Sequence, residues 1–390
     1  MRALLIAALS LPLGSCFSTA DFSSCTGPFQ CGPQGDSDRV YICQDGQCID
    51  PQPEQPLVQW SPGVPSNQPV LIDLKIALGA GITAGEPLII QHPIIVIGKD
   101  GLIELAGAGH PGGGGGGGGA GAGELAAMGN ATPGNGGTVD GRSGDAGSAS
   151  SGGAGGAGRG PGGGAGGAGD AAEPFAREQC PGASTGSPGK AGMYDLANDT
   201  AAVFDPCAPL SLSALPMGSG GGGGGGGRGG GTALVSLGGG GGGVGYAGAG
   251  ALVLRATQYI EIRSVLSAVG RTGGEPPACT TCSMGDGGEG ASETVGGARG
   301  DECAGGAGGG GAGGLIYIEA PLVIFGRNAF IEVGGSLGAA NGGHVIIRGE
   351  VEGMPNIGAL DGGLPIGGFA QHAGDAPLVC TGPYDLSGLR

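Results

Sequence analysis

Residues 95–107 read IVIGKDGLIELAG, and residues 323–335 read VIFGRNAFIEVGG. Glycine matches at Gly98 and Gly326, a basic residue at Lys99 and Arg327, Asp or Asn at Asp100 and Asn328, and Ile103-Glu104 answers Ile331-Glu332. A looser copy, LVLRATQYIEIRSVLSAVGRTGG at 252–274, parallels LIYIEAPLVIFGRNAFIEVGGSLGAANGG at 315–343. Each copy is a β-branched run, a polar or Pro corner, a second run, and a final run that gives way to glycine. The runs have the length of strands and stop at Gly, Asn or Asp, where a helix could not continue. One such unit cannot bury its own apolar face, so the copies must stack. The pattern predicts an all-β fold, a short parallel β-helix or solenoid over residues 70–350. Ile, Val and Leu would point inward, and Glu104, Glu319 and Glu332 outward. Antiparallel hairpins closed at KDG and RNA are the rival geometry. The common polarity of the copies and their GG exits favour the solenoid.

Glycine dominates what lies between the copies. It supplies 101 of 390 residues, against 8 Phe, 6 Tyr and 1 Trp. The stretch ELAGAGHPGGGGGGGGAGAGELAAMG, 104–129, passes from a strand-like run into eight consecutive glycines. Ordering such a segment costs roughly 1 to 2 kcal/mol per residue and buries no side chain in return. It either stays mobile or packs backbone against backbone. The tracts are expected as long insertions at one corner of the solenoid, about 106–250 and 271–314, forming a slab poor in side chains. GGAGGAGRGPGGGAGGAG at 152–169 has the composition of polyproline II segments, which can pack and hydrogen-bond laterally. In this it resembles the glycine-rich antifreeze proteins, and strict glycine at every third position, as a collagen needs, is absent. A hydrated surface coat or adhesive spacer is the expected role of the slab.

The N-terminus reads as an export signal. MRALLIAALSLPLGSC has Arg2, an apolar run from Ala3 to Leu13, and small residues before Cys16. LGSC resembles the lipobox of bacterial lipoproteins, which implies a signal peptide over 1–15, lipid on Cys16, an anchor segment over 16–24 and attachment to the outer membrane. The alternative is an ordinary secretory signal cut near Ala20. Ten further cysteines remain: Cys25, Cys31, Cys43, Cys48, Cys180, Cys207, Cys279, Cys282, Cys303 and Cys380. An even number suits disulfides in an oxidising compartment. The first four make a small disulfide-rich module over 25–48, with an Asp45-Gly46 turn and its pairing open. Cys279 and Cys282 form CTTC, which reads as structural disulfide chemistry rather than a redox pair or half a zinc site. Residues 49–69 hold six prolines and are expected to be an extended linker. Residues 351–390 would be a tail or cap.

No catalytic site, metal site or cofactor is assigned. Glycine motifs occur by chance in such a chain, and SPGKAG at 187–192 lacks the Ser or Thr of a phosphate loop. His92, His110, His344 and His372 have no ligand spacing, and His92 and His344 are expected at a sheet surface or edge. Polysaccharide-acting β-helix enzymes line acids and bases on one face, and Glu104, Glu319, Glu332, Arg255, Arg263 and Arg348 could supply that inventory. Such residues are also ordinary on the outside of strands. A formal charge of −17, without a basic cluster, argues against nucleic acid.

Anchor, cysteine module, proline spacer and strand units broken by GGGG tracts together resemble the glycine-rich surface lipoproteins of myxobacteria and their relatives. The resemblance implies a non-catalytic structural or adhesive protein of the cell envelope, with a membrane anchor and a surface polysaccharide or matrix as possible partner. A polysaccharide-binding or polysaccharide-degrading β-helix protein, or contact with ice or another crystalline surface through the glycine slab, is the alternative.

Overall fold

The computed structural model describes residues 42–44, 46–49, 56–114, 142–146, 153–160, 163–168, 188, 190, 215, 217–225, 230–232, 235–237, 242–270, 308–336, 343–353, 356–357 and 378–379. Strands β1 (Ile42–Gln44) and β2 (Gln47–Ile49) form an antiparallel hairpin that sets Cys43 opposite Cys48. Gly46 turns it with φ of 78°, a conformation that costs glycine least. Cys48 is disulfide-bonded. The remaining cysteine side chains lie outside the described residues.

Two parallel sheets follow. The long one is built from β3 (Val58–Gln59), β4 (Val70–Ile72), β7 (Leu88–Ile97), β11 (Ala251–Ile262), β13 (Leu315–Phe325), β15 (His344–Glu352) and β17 (Leu378–Val379), in that spatial order. The short one runs β6 (Gly81–Ile82), β5 (Lys75–Leu78), β8 (Leu102–Glu104), β12 (Val265–Ser267), β14 (Phe330–Glu332) and β16 (Asn356–Ile357). A separate two-stranded pair joins β9 (Gly230–Thr232) to β10 (Val235–Leu237). Strands of the three sequence copies pair side by side: Leu252 lies between Leu88 and Ile316, and Leu266 between Ile103 and Ile331. The two runs expected in each copy are one long strand, bent where the register shifts beyond Gln91, Arg255, Glu319 and Arg348.

Corners between the sheets stack as well. Gly98 N–H donates to Ile72, Arg263 to Ile97 and Gly326 to Ile262, so backbone polar groups are satisfied where the chain turns. Apolar residues of both sheets, among them Ile72, Ile76, Ile97, Ile103, Ile262, Leu266 and Ile331, share one core. Each buried branched side chain contributes roughly 1.5 to 3 kcal/mol.

The glycine segments correct the expected architecture. Residues 218–225 are buried throughout and bonded to six other segments. Gly218, Gly221 and Gly224 donate to Ala249, Tyr246 and Gly243; Gly220 and Gly223 donate to Arg159 and Gly156; Gly222 donates to Lys190. In return Gly218 and Gly221 accept from His110 and Gly113, Gly220 and Gly223 from Gly164 and Gly167, and Ser219 and Gly222 from Ala312 and Gly309. These bonds measure 2.7–3.0 Å. Partners recur every third residue, as in polyproline II chains with about three residues per turn. Residues 109–114 continue from β8, while 242–250 and 308–314 lead into β11 and β13. These described glycine segments are thus a non-strand bundle continuous with the sheets rather than appended insertions.

Strands make up about 40% of the described residues, in two parallel sheets. An all-β fold consisting of a short β-helix or solenoid with a projecting glycine slab is therefore not what the chain adopts. The physical reason is the missing Cβ. Glycine backbones approach closely enough to bond in three directions, which stabilises packing without apolar area. The proline-rich segment 49–69 meets the sheets in its middle. Within it Val58 and Gln59 pair with Val70 and Leu71, and Trp60 is buried in the core with its backbone N–H on the Leu71 carbonyl.

Candidate functional site

The polar residues form rows because parallel pairing repeats one position on every strand. On the long sheet Gln91, Arg255, Glu319 and Arg348 occupy a single row across β7, β11, β13 and β15. Side chains alternate along a strand, so this row lies on the face opposite the shared core. Arg255 Nε donates to Glu319 Oε2 at 2.8 Å, and Arg348 Nη1 stands 4.0 Å from Glu319 Oε1. The Arg348 guanidinium also sits 5.6 Å from the centre of the Tyr317 ring, within cation–π range.

This row is covered. Only 4% of the Glu319 side chain, 12% of Arg255 and 10% of Arg348 is exposed. Leu215 and Met217, which lead into the central glycine segment, pack over Ala251, Val253, Leu315, Tyr317 and Ile346 beside the row. Glu319 and Glu332 do point away from the shared core, as expected, but both are buried there. Burial, with the Glu319 charge next in weight, pushes the Tyr317 phenol well above its ordinary value. A hydroxyl that stays protonated thus lies beside two guanidiniums and one carboxylate, and the carboxylate is held by Arg255.

The other sequence candidates are elsewhere. Glu104, Ser267 and Glu332 share a row of the short sheet, where Lys75 pairs with Glu104 at 2.6 Å in a largely solvated setting. Arg263 binds Glu261 through both its Nε and Nη2, at 2.6 and 2.7 Å, close to the corner after β11. The acids and bases proposed for a polysaccharide-acting face are thereby divided between two sheets and a corner. His92 and His344 are buried in inner strands, not at a surface or edge, since β7 and β15 each pair on both sides. His92 Nδ1 is 3.0 Å from the Gln68 carbonyl, and burial lowers its pKa against the smaller opposing effect of its carbonyl partners. His110 lies in the glycine bundle, and His372 is outside the described residues. Among the described residues no group of three His, Cys, Asp or Glu could hold a metal ion.

Gln91, Tyr317 and Glu261 were missed by the reading of the sequence. A signal for the row was present: PLIIQ at 87–91, ALVLR at 251–255, LIYIE at 315–319 and HVIIR at 344–348 each end an apolar run on a polar residue. No family model, no curated protein and no solved structure matches the chain.

Proposed function

We propose that the chain is a non-catalytic structural or adhesive protein of the cell envelope, held to the outer membrane through lipid on Cys16. The observation that carries this reading is where the polar chemistry is spent. Glu319 is occupied by Arg255 within a covered row, and Glu261 by Arg263. Backbone groups of 218–225 are likewise occupied by six neighbouring segments. Such an interior favours a stiff body over a reacting cleft, because an ion pair taken from water is costly to break. The apolar run before Cys16 and the small residues at Gly14 and Ser15 support export and lipidation.

The test is Cys16→Ser followed by cell fractionation and an attachment assay. The wild-type chain is expected in the membrane fraction, and the variant in the soluble fraction with loss of surface attachment. Unchanged membrane retention of the variant would overturn the anchor. Unchanged attachment by cells lacking the protein would overturn the adhesive role.

A further inference from the structure

We propose that the outer layer of the glycine bundle is a docking surface for an acidic polysaccharide, with Arg142, Arg159 and Lys190 receiving its carboxylates. The proposal rests on the surface reading above and names the class of partner. It starts from an imbalance of charge: the chain carries 33 acidic residues against 16 basic ones. Four cations on or beside the strands are taken up, Lys75 by Glu104, Arg255 and Arg348 by Glu319, and Arg263 by Glu261, while Lys99 at a corner is exposed. The bundle, by contrast with the isolated Lys99, holds three such cations in one layer. Arg142, Arg159 and Lys190 are exposed, and among the described residues none of them enters an ion pair.

Their backbones are fixed by the bundle itself. Arg142 accepts from Gly114, Arg159 donates to Pro111, and Lys190 donates to Ala165. Segments 153–160 and 163–168 run antiparallel, Gly155 bonding to Gly167 and Gly158 to Gly164. Their glycines face neighbours, while Ala165 and Ala168 are exposed and Ala154 and Ala157 half-buried. The floor between the cations is therefore low and made of methyl and Cα–H groups. An extended sugar chain can lie along it with ring C–H faces down and carboxylates reaching the flanking guanidinium and ammonium groups. Asp145 is the exposed acid among the described residues of this layer.

Charge spacing selects among polyanions. Duplex DNA presents a charge roughly every 1.7 Å and is opposed by the overall charge of the protein. A polyuronate carries one per ring, a density that three fixed cations can match locally.

The experiment measures retention of the full chain, in detergent, on immobilised polygalacturonate and on neutral dextran at low and high salt. Retention on polygalacturonate that weakens with salt is expected, with little on dextran. Arg142→Ser combined with Arg159→Ser and Lys190→Ser should reduce affinity about tenfold or more, as expected of complementary charges. Lys99→Ser, at a corner of the sheets, should leave it unchanged. Arg142→Lys with Arg159→Lys keeps the charges and should keep binding, which separates charge from packing if the triple variant melts early. Undiminished binding of a folded triple variant would overturn the proposal, as would equal retention on dextran or displacement by polyglutamate at equal carboxylate concentration. Membrane fractionation of Cys16→Ser cells tests anchoring alone, so failure of either reading is seen separately.

Discussion

A methyl group added to Gly223 would place its Cβ 2.0 Å from the Gly114 carbonyl oxygen, a distance no side chain can occupy. Ala165, on a neighbouring segment, is exposed. These two residues show the difference within the bundle: the central segment is glycine throughout 220–225, and an outer one admits alanine at every third position. GGAGGAG therefore marks an outer segment, and the run 220–225 an enclosed one. Gly223→Ala is expected to cost about 1 to 3 kcal/mol, the range for overpacking. Ala165→Ser should stay within about 0.5 kcal/mol. Urea denaturation of the two variants checks this, and equal midpoints would refute the enclosure of 218–225. Glu319 poses the opposite problem, since removing it leaves Arg255 covered without its carboxylate. Glu319→Ala should lose about 3 to 5 kcal/mol, whereas an apolar replacement of Arg255, Glu319 and Arg348 together should lose far less. A single variant as stable as wild type would show that the row contributes nothing.

Strands were legible in the sequence because each needs only a local run of branched residues. The matched copies at 95–107 and 323–335 pass from long to short strand through four-residue corners, Gly98–Gly101 and Gly326–Ala329. The looser third copy makes the same turn with two residues, Arg263 and Ser264, and the Ser264 hydroxyl donates to the Gly101 carbonyl. That difference in corner length explains why its alignment was weaker. The short strand in the proline-rich segment has no such run. Six prolines remove hydrogen-bond donors, yet edge strand β3 needs few, and Trp60 supplies the apolar area that holds it. Trp60→Ala is expected to cost about 3 to 5 kcal/mol by thermal or urea unfolding. A change below about 0.5 kcal/mol, typical of an exposed site, would return the segment to the role of a spacer.

Stability of the whole body should respond to pH through His92. Burial lowers its pKa in the folded chain, so the neutral imidazole is favoured there and the unfolded chain binds the proton first. The contribution is complete above the unfolded value of about 6.5 and is lost as pH falls toward the lower folded value. Between pH 7.5 and 5.5 the melting temperature of the wild type should fall more than that of His92→Gln. Parallel curves would remove His92 from the pH response. The sequence by itself determined that the three copies carry strands and where long strand gives way to short, because branched runs and their corners are local. Tertiary structure alone decided which strand faces are covered. Leu215 and Met217, which pack beside Glu319, stand about a hundred residues before it, so no local pattern announces the burial of that carboxylate. Tertiary structure also decided that the described glycine segments form one bundle. Side-chain patterns cannot reveal an arrangement held by backbone hydrogen bonds, since its stability depends on which distant segments are brought alongside.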